Sequence, residues 1–342
     1  MTTPLPGADG DVASPPGPRG WSVGLDIGGT KTLGVLVRPD GTVHGEPLRL
    51  PTERGAQAVV ATAVEAVRRL VASAPGPVGG SASGSPGAVG GAGLGLGDLV
   101  GVGIGLPGVV HPGSGRVEHA VNLGIEAGVP LADAVSAALG VPVRLENDLN
   151  VAALGAAHLL DEPAPDLAFL ALGTGLAAGL VLDGRLRRGS HGAAGEIGHL
   201  VHVRDGLPCP CGQRGCLEQY ASGSAIGAAW PTTDGRPAPV ALFEAAEAGD
   251  PAALAVRGRF ADAVAAAVRV LLLSTDVAHV VIGGGVSDLG EPLLRVVRAE
   301  LDRAAQGSAF VAAMEMAGRV SLAPRGVPVG AVGAALVGRK ES

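Results

Sequence analysis

The chain has 342 residues, a formal net charge of −7 and only 2% aromatic residues. A sequence pI near 5.6 excludes a global field that attracts nucleic acid or acidic membrane. The one basic run, Arg185-Leu186-Arg187-Arg188, reads as a solvated hairpin or loop. Hydrophobic residues make up 47% of the chain. That supplies the core of two domains at this length, built from Ala, Val, Leu and Ile.

Residues 1–20 are Pro/Gly-rich, lack a basic start and an apolar run, and read as a disordered tail rather than a signal peptide. Val23–Ile27 and Leu33–Val37 are predicted strands joined by Gly28-Gly29-Thr30-Lys31, and Asp40-Gly41 is a hairpin signal. Ala56–Ser73 is a helix with Val60, Val64, Val67 and Val71 on one face. Residues 74–97, rich in Gly and Ser, form a flexible linker or insertion. Val100–Ile104 and Val141–Leu145 are strands, while Leu131–Leu139 and Leu149–Leu160 are helices.

The second half repeats the theme. Leu167–Leu172 and Gly179–Leu182 are strands around Gly173-Thr174-Gly175, with a turn at Asp183-Gly184. Ala241–Glu247, Pro251–Leu273, Glu291–Ala305 and Val329–Val337 are helices; Val277–Ile282 and Val320–Leu322 are strands. Two similar α/β lobes follow, each opening on a hairpin with a Gly-Thr tip. The apolar stretch Ala168–Leu182 is short of a membrane span and is broken by Gly173, Thr174, Gly175 and Gly179. The positive mean hydropathy of +0.37 is therefore no sign of a membrane protein, and the chain reads as cytoplasmic. A reducing compartment argues against disulfides.

Three glycine-rich tips bear on phosphate binding. Asp26–Thr32 (DIGGTKT) is no Walker loop, because Thr-Lys-Thr leads into a strand rather than a helix. Gly103, Gly105 and Gly108 spell a dinucleotide fingerprint, but Pro107 and the residues after it do not open a helix. A hairpin cradle remains, with backbone N–H groups of Gly28, Gly29, Thr30 and Lys31 converging on phosphate oxygens and glycines giving close approach and positive φ. Asp26 would hold Mg²⁺ through water. One such tip is also what an ordinary tight hairpin uses. Two tips and a strand ending in Gly283-Gly284-Gly285 are suited to lining a cleft between lobes.

All three cysteines fall between Cys209 and Cys216. DIGGTKT at 26–32, GIGLPG at 103–108, ENDLNVAALG at 146–155, LGTG at 172–175, GAAGEIGH at 192–199, CPCGQRGCLE at 209–218 and VIGGGVS at 281–287 stand in that order. Together they resemble the ROK family of repressors, uncharacterised reading frames and sugar kinases, from Val23 to the C-terminus. GEIGH followed by CxCGxxGCxE is the specific part of the match. The resemblance implies a two-lobed actin-like ATPase fold of the hexokinase, ribonuclease H-like superfamily, with an interlobe active-site cleft. The lobes would span 21–147 and 148–325, the latter with the zinc motif, and 326–342 would be a C-terminal helix packing back toward the N-terminal lobe.

It also implies site roles. His199, Cys209, Cys211 and Cys216 match a structural Zn²⁺ site, and Cys₃His is a closed tetrahedral set. Asp148 matches the catalytic base that takes the proton of the attacking sugar hydroxyl; read from the residues alone, Asn147 or Asp148 equally suits a helix cap. Asn147, Glu196, His199 and Glu218 match ligands of sugar hydroxyls. Asp26, Gly28, Gly29, Thr30 and Lys31 match the first phosphate loop, Gly173, Thr174 and Gly175 the second, and Gly283, Gly284 and Gly285 the adenosine loop. Two departures stand out. GTGLA replaces the frequent GTGIG, and no aromatic follows Asn122-Leu123; both bear on sugar preference.

The resemblance thus points to an ATP- and Mg²⁺-dependent hexose kinase acting on a 6-hydroxyl, with glucose first. N-acetylmannosamine, N-acetylglucosamine or fructose as substrate, or a non-catalytic sugar-sensing regulator, are the alternatives. No recognition helix can be built from residues 1–20, which speaks against the family's repressors. A homo-oligomer, as a dimer, is expected from the family.

Overall fold

The computed structural model describes residues 20–74, 93–160, 162–163 and 165–339. The expected tail, Gly20 apart, and most of the 74–97 insertion lie outside them.

The N-terminal sheet is built from β1 (Trp21–Ile27), β2 (Lys31–Val37), β3 (Val43–Pro51), β4 (Leu99–Leu106) and, further on, β7 (Val143–Asn147), in the order β3-β2-β1-β4-β7. β1, β2 and β3 pair antiparallel; β4 and β7 add in parallel. A side hairpin, β5 (Val109–His111) with β6 (Arg116–Glu118), leaves the end of β4. Helices α1 (Ala56–Ala72), α2 (Leu131–Leu139) and α3 (Asp148–Leu159) follow their strands.

The C-terminal sheet repeats this plan. β8 (Leu167–Leu172), β9 (Leu176–Leu182), β10 (Arg185–Leu186), β11 (His279–Gly283) and β12 (Val320–Leu322) stand in the order β10-β9-β8-β11-β12. Again the first three pair antiparallel and the last two add in parallel. Helices α4 (Gly223–Ala229), α5 (Ala238–Glu247), α6 (Pro251–Thr275), α7 (Glu291–Ala305), α8 (Ala309–Ala313) and α9 (Val329–Gly338) complete the chain.

Each sheet has its own apolar core. Val23, Leu25, Ile27, Ile104, Leu106 and Leu145 are fully buried in the first, and Leu170, Leu172, Val264, Val268 and Ile282 in the second. With so few aromatics, close backbone approach replaces bulky side chains. A Cβ on Gly24 would lie 1.9 Å from the Ala331 carbonyl oxygen, and one on Gly103 1.7 Å from that of Ala334. α9 therefore rests backbone-to-backbone on β1 and β4. It crosses α3 in the same way, with a Gly155 Cβ meeting the Val329 oxygen at 1.8 Å and a Gly333 Cβ meeting the Val151 oxygen at 1.8 Å.

Gly333→Ala is the direct test of that crossing. Alanine favours a helix over glycine by about 1 kcal/mol, but here the added methyl meets backbone that cannot rotate away. Overpacking wins, and we expect a net loss of about 1–3 kcal/mol, read as a lower midpoint in denaturant at unchanged m-value.

Candidate active site

The ends of the parallel strands converge on the cleft. The β1–β2 turn presents Gly28, Gly29 and Thr30, closed by a hydrogen bond from the Gly28 N–H to the Lys31 carbonyl (3.0 Å). Neither glycine adopts positive φ, contrary to the expectation from the sequence. What they provide is room: a Cβ on Gly29 would sit 3.0 Å from that of Asn122. Positive φ is used at the third loop instead, where Gly284 has φ 84° and precedes a 3₁₀ turn over Gly285–Leu289.

Asp26, Lys31, Gly283, Gly284 and Gly285 line one cavity of about 320 Å³, together with Asp288 and Arg325. The β1–β2 turn and the glycine run after β11 thus share a cavity. Burial pushes the Asp26 carboxyl up to about 7; Asp148 adds to this and Lys31 opposes it. Gly330 at the start of α9 keeps the space beside it, because a Cβ there would lie 2.6 Å from Asp26 Oδ2.

Asn147 and Glu196 line a second cavity of about 480 Å³, walled by the β5 hairpin and by residues 188–196. Asn147 caps α3: its Oδ1 accepts the Leu149 N–H at 3.0 Å. Asp148 Oδ1 accepts the same N–H at 2.9 Å. Its carboxyl is held above the ordinary range, chiefly by burial and with a contribution from Glu196, while the helix-start N–H groups pull the other way. Asp148 lines neither cavity itself, but its charge bears on Asp26 in the first and Glu196 in the second bears on it.

A third cavity of about 770 Å³ holds Thr174, Gly175 and Glu218. Glu218 Oε2 accepts the Leu176 N–H at 3.0 Å, and a Cβ on Gly175 would lie 2.3 Å from that oxygen. Glu218 is thus anchored to the second hairpin, and the cavity of Asn147 and Glu196 does not include it.

His199 ends a 3₁₀ turn that starts beside Glu196. With Cys209, Cys211 and Cys216 it forms a cluster whose ligand atoms all lie within 4.8 Å of one another. His199 Nδ1 stands 3.9 Å from Cys209 Sγ, and Cys211 Sγ 3.7 Å from Cys216 Sγ. Gln213 donates to Cys211 Sγ (3.5 Å) and Gln219 to Cys209 Sγ (3.6 Å). Hydrogen bonds from Gln213 draw the Cys211 thiol down to about 6, whereas burial pushes Cys216 up to about 12. The donor set fits tetrahedral zinc, whose charge would hold all three sulfurs as thiolates.

Glu146 and Arg188 have no part in the sequence reading of the site. Glu146 is buried at the end of β7. Its Oε1 accepts the Asn147 N–H at 3.0 Å and Asn150 Nδ2 at 2.8 Å; its Oε2 accepts Arg188 Nε at 2.7 Å and also Nη2. In the basic run, Arg187 pairs with Asp183 at an exposed edge as a solvated residue does, while Arg188 turns into the cleft.

The ROK family model matches residues 93–341. The chain belongs to the ROK family. It is 32% identical over 306 residues to the glucokinase of Streptomyces coelicolor, covering 83% of this chain and 88% of that one. It is also 32% identical over 284 residues to an N-acetylmannosamine kinase of Yersinia pseudotuberculosis, covering 82% and 88%. Among solved structures, a ROK family glucokinase from Streptomyces griseus in complex with glucose and AMPPNP superimposes with a TM-score of 0.70 at 31% identity, over 94% of this chain and 99% of that one. The two-lobed actin-like ATPase fold of ROK proteins is thus the fold of this chain. No helix among its described residues is long and apolar enough to cross a membrane.

Proposed function

We propose that this ROK protein is an ATP-dependent hexose kinase that phosphorylates the 6-hydroxyl of glucose. The observation that carries the reading is that Asn147 and Glu196 line one cavity and Asp26, Lys31 and Gly283–Gly285 another, while Asp148 follows Asn147 at the start of α3 and its charge bears on Asp26. Support comes from the glucokinase relative at 32% identity and from a solved relative that holds glucose and an ATP analogue.

In this reading Asp148 accepts the proton of the sugar hydroxyl as its oxygen bonds to the γ-phosphorus. The bond to the β,γ-bridging oxygen breaks and ADP leaves. Asn147, with Oδ1 committed to the helix cap, offers its amide N–H groups to a sugar oxygen, and Glu196 offers a carboxylate to hydroxyl donors. His199 and Glu218 are assigned to the sugar as well; with Oε2 bound to Leu176 N–H, Glu218 has Oε1 to give. Gly28, Gly29, Thr30 and Lys31 take the first phosphate contacts, Gly173, Thr174 and Gly175 the second, and Gly283, Gly284 and Gly285 the adenosine. Mg²⁺, held through water by Asp26, neutralises phosphate charge when bound. Zn²⁺ on His199, Cys209, Cys211 and Cys216 is structural and fixes the loops that carry His199 and Glu218. Residues 21–147 and 148–325 are the two units that close on the substrates and exclude water.

The N-acetylmannosamine kinase relative supports a second reading, a 2-acetamido sugar in the same cavity. One assay separates them. ADP release with Mg·ATP is followed against glucose, mannose, fructose, N-acetylglucosamine and N-acetylmannosamine. Turnover with glucose at the highest kcat/KM supports the first reading; a preference for N-acetylmannosamine replaces it by the second.

Asp26 gives a pH prediction. Without nucleotide its carboxyl stays protonated up to about 7, whereas in the unfolded chain it ionises near about 4. The folded state therefore holds the extra proton between those values. Its stability falls as pH rises through that window and is level above it. Hydrated Mg²⁺ needs the carboxylate, so binding of Mg·ATP below pH 7 releases a proton. Affinity should weaken about tenfold per pH unit there. Calorimetry in two buffers of different ionisation heat reads the released proton, and Asp26→Asn should abolish it.

A further inference from the structure

We propose that Arg188 is a positioning residue that sets the spacing across the sugar cavity. Through Glu146 it fixes residues 188–196, which carry Glu196, to the strand end and helix start that carry Asn147 and Asp148. The kinetic consequences rest on the hexose-kinase reading; the mechanical link does not.

Two kinds of donor meet on Glu146. The Asn147 N–H and Asn150 Nδ2 on Oε1 belong to the same strand end and helix start, so they hold the carboxylate in place locally. Arg188 comes from the other lobe, 42 residues along the chain, and its fork closes on Oε2. A planar guanidinium that gives two N–H groups to one carboxylate fixes orientation as well as distance. The Glu146 side chain is 2% exposed and that of Arg188 40%, so the carboxylate is withdrawn from water while the guanidinium is partly solvated. Among the described residues it is the ion pair that joins the two walls of the cavity.

The segment it anchors has little else to define its shape. Gly189, Gly192 and Gly195 all take positive φ, at 76°, 72° and 95°. A bond from the Ala194 N–H to the Arg188 carbonyl (3.1 Å) closes the loop on Arg188 itself, and the Ala178 N–H to the Gly195 carbonyl (2.8 Å) fastens its far end. Glu196 is exposed, so burial does not hold it. The loop is attached at Gly195 to the C-terminal lobe and at Arg188 to the N-terminal lobe. Released at Arg188, it keeps its link to β9 and loses its register with Asn147 and Asp148.

The test uses full-length Arg188→Met, Arg188→Lys and Glu146→Gln, and the double variant Arg188→Met with Glu146→Gln. Glucose and Mg·ATP binding are measured by calorimetry, both KM values by steady-state kinetics, and amide exchange by mass spectrometry. Arg188→Met should raise the Kd and KM for glucose about tenfold to a hundredfold, leave those for Mg·ATP within about twofold, and speed exchange in 189–196 alone. Arg188→Lys, a point charge without the fork, should fall between. The double variant should be no worse than Arg188→Met, because both changes break one link.

An unchanged glucose KM in Arg188→Met overturns the proposal. So does an equal rise for both substrates with faster exchange throughout, which marks a general structural role. If Arg188→Met does not fold, Arg188→Lys and Glu146→Gln are held to the same split between glucose and nucleotide. If the wild type phosphorylates no hexose, exchange that quickens only in 189–196 keeps the link and removes the kinase reading. Exchange unchanged there removes the link.

Discussion

Asp148→Asn should lower kcat for hexose phosphorylation by about 10²–10⁴ while leaving the fold and the sugar KM nearly as they were. Asparagine keeps an oxygen for the Leu149 N–H, and Asn147 remains the N-cap of α3, so the helix start survives. In the proposed mechanism, what is lost is the acceptor for the sugar proton. Burial and Glu196 hold the Asp148 carboxyl above its ordinary range. The base works only when ionised, so the acid limb of the wild-type kcat profile should lie above that of a solvent-exposed aspartate. Stability should move the other way. The wild type loses stability relative to the variant as pH rises past the unfolded-state value near about 4. Asp148→Asn should therefore be the more stable protein at neutral pH, with the gap closing in acid. Rate and melting curves of the two proteins across pH check both parts; full turnover in the variant removes the base assignment.

Cys216→Ser should release bound zinc and lower stability by at least about 4 kcal/mol under conditions where free zinc is in about thousandfold excess over its Kd. Cys216 is fully buried, between Gly215 and Leu217, and Leu217 N–H is tied to the Leu200 carbonyl at 2.9 Å. The segment around it leaves Leu200, Val201, Val203 and Leu207 exposed, so little apolar burial replaces a lost metal. A serine hydroxyl at 216 is a far poorer zinc ligand than a thiolate. Because Glu218 stands two residues on and grips Leu176, the sugar KM and the ATP KM should both rise. Metal content per chain, melting temperature and the two KM values are the measurements. One zinc per wild-type chain with none in the variant is expected; equal zinc in both overturns the ligand set.

Much of this arrangement is legible in the sequence, for identifiable reasons. α2, β8, α7 and β12 have the bounds that apolar periodicity predicts, because flanking Gly and Pro stop them sharply. β3 is not predicted: VHGEPLRLP carries Gly45 and Pro47 and only the short alternation Leu48-Arg49-Leu50, and its strand form comes from pairing with β2 at the sheet edge. α4 is also missed, since GSAIGAA is a poor helix former by composition and starts where the Ser222 side chain accepts the Ala225 N–H. In the site, the motifs locate residues but not their partners. The Glu146–Arg188 pair joins two lobes, and no local pattern signals a contact made only when both sheets are in place. The glycine tips show the limit from another side, as the sequence marks where glycine is needed but not that Gly28 and Gly29 serve clearance rather than positive φ.

The seating of α9 has a consequence for biogenesis. Emerging from a ribosome, the strands β1, β2 and β4 are complete long before residues 329–338 exist, yet those residues cover one face of that sheet at backbone contact. A domain usually folds as soon as its own segment is available; this one must wait for the whole chain. Until then Val35 and Val37 lack the Val332 and Ala335 they pack against, and Asp26 lacks the wall formed by Gly330. Ala334 and Val337 of α9 also join the core that holds Leu167, Phe169, Val181 and Val281 of the C-terminal sheet, so both sheets and the cavity at Asp26 are finished last. A nascent chain held short of residue 329 should therefore engage chaperones through its N-terminal half, and gain the capacity to bind nucleotide only on release.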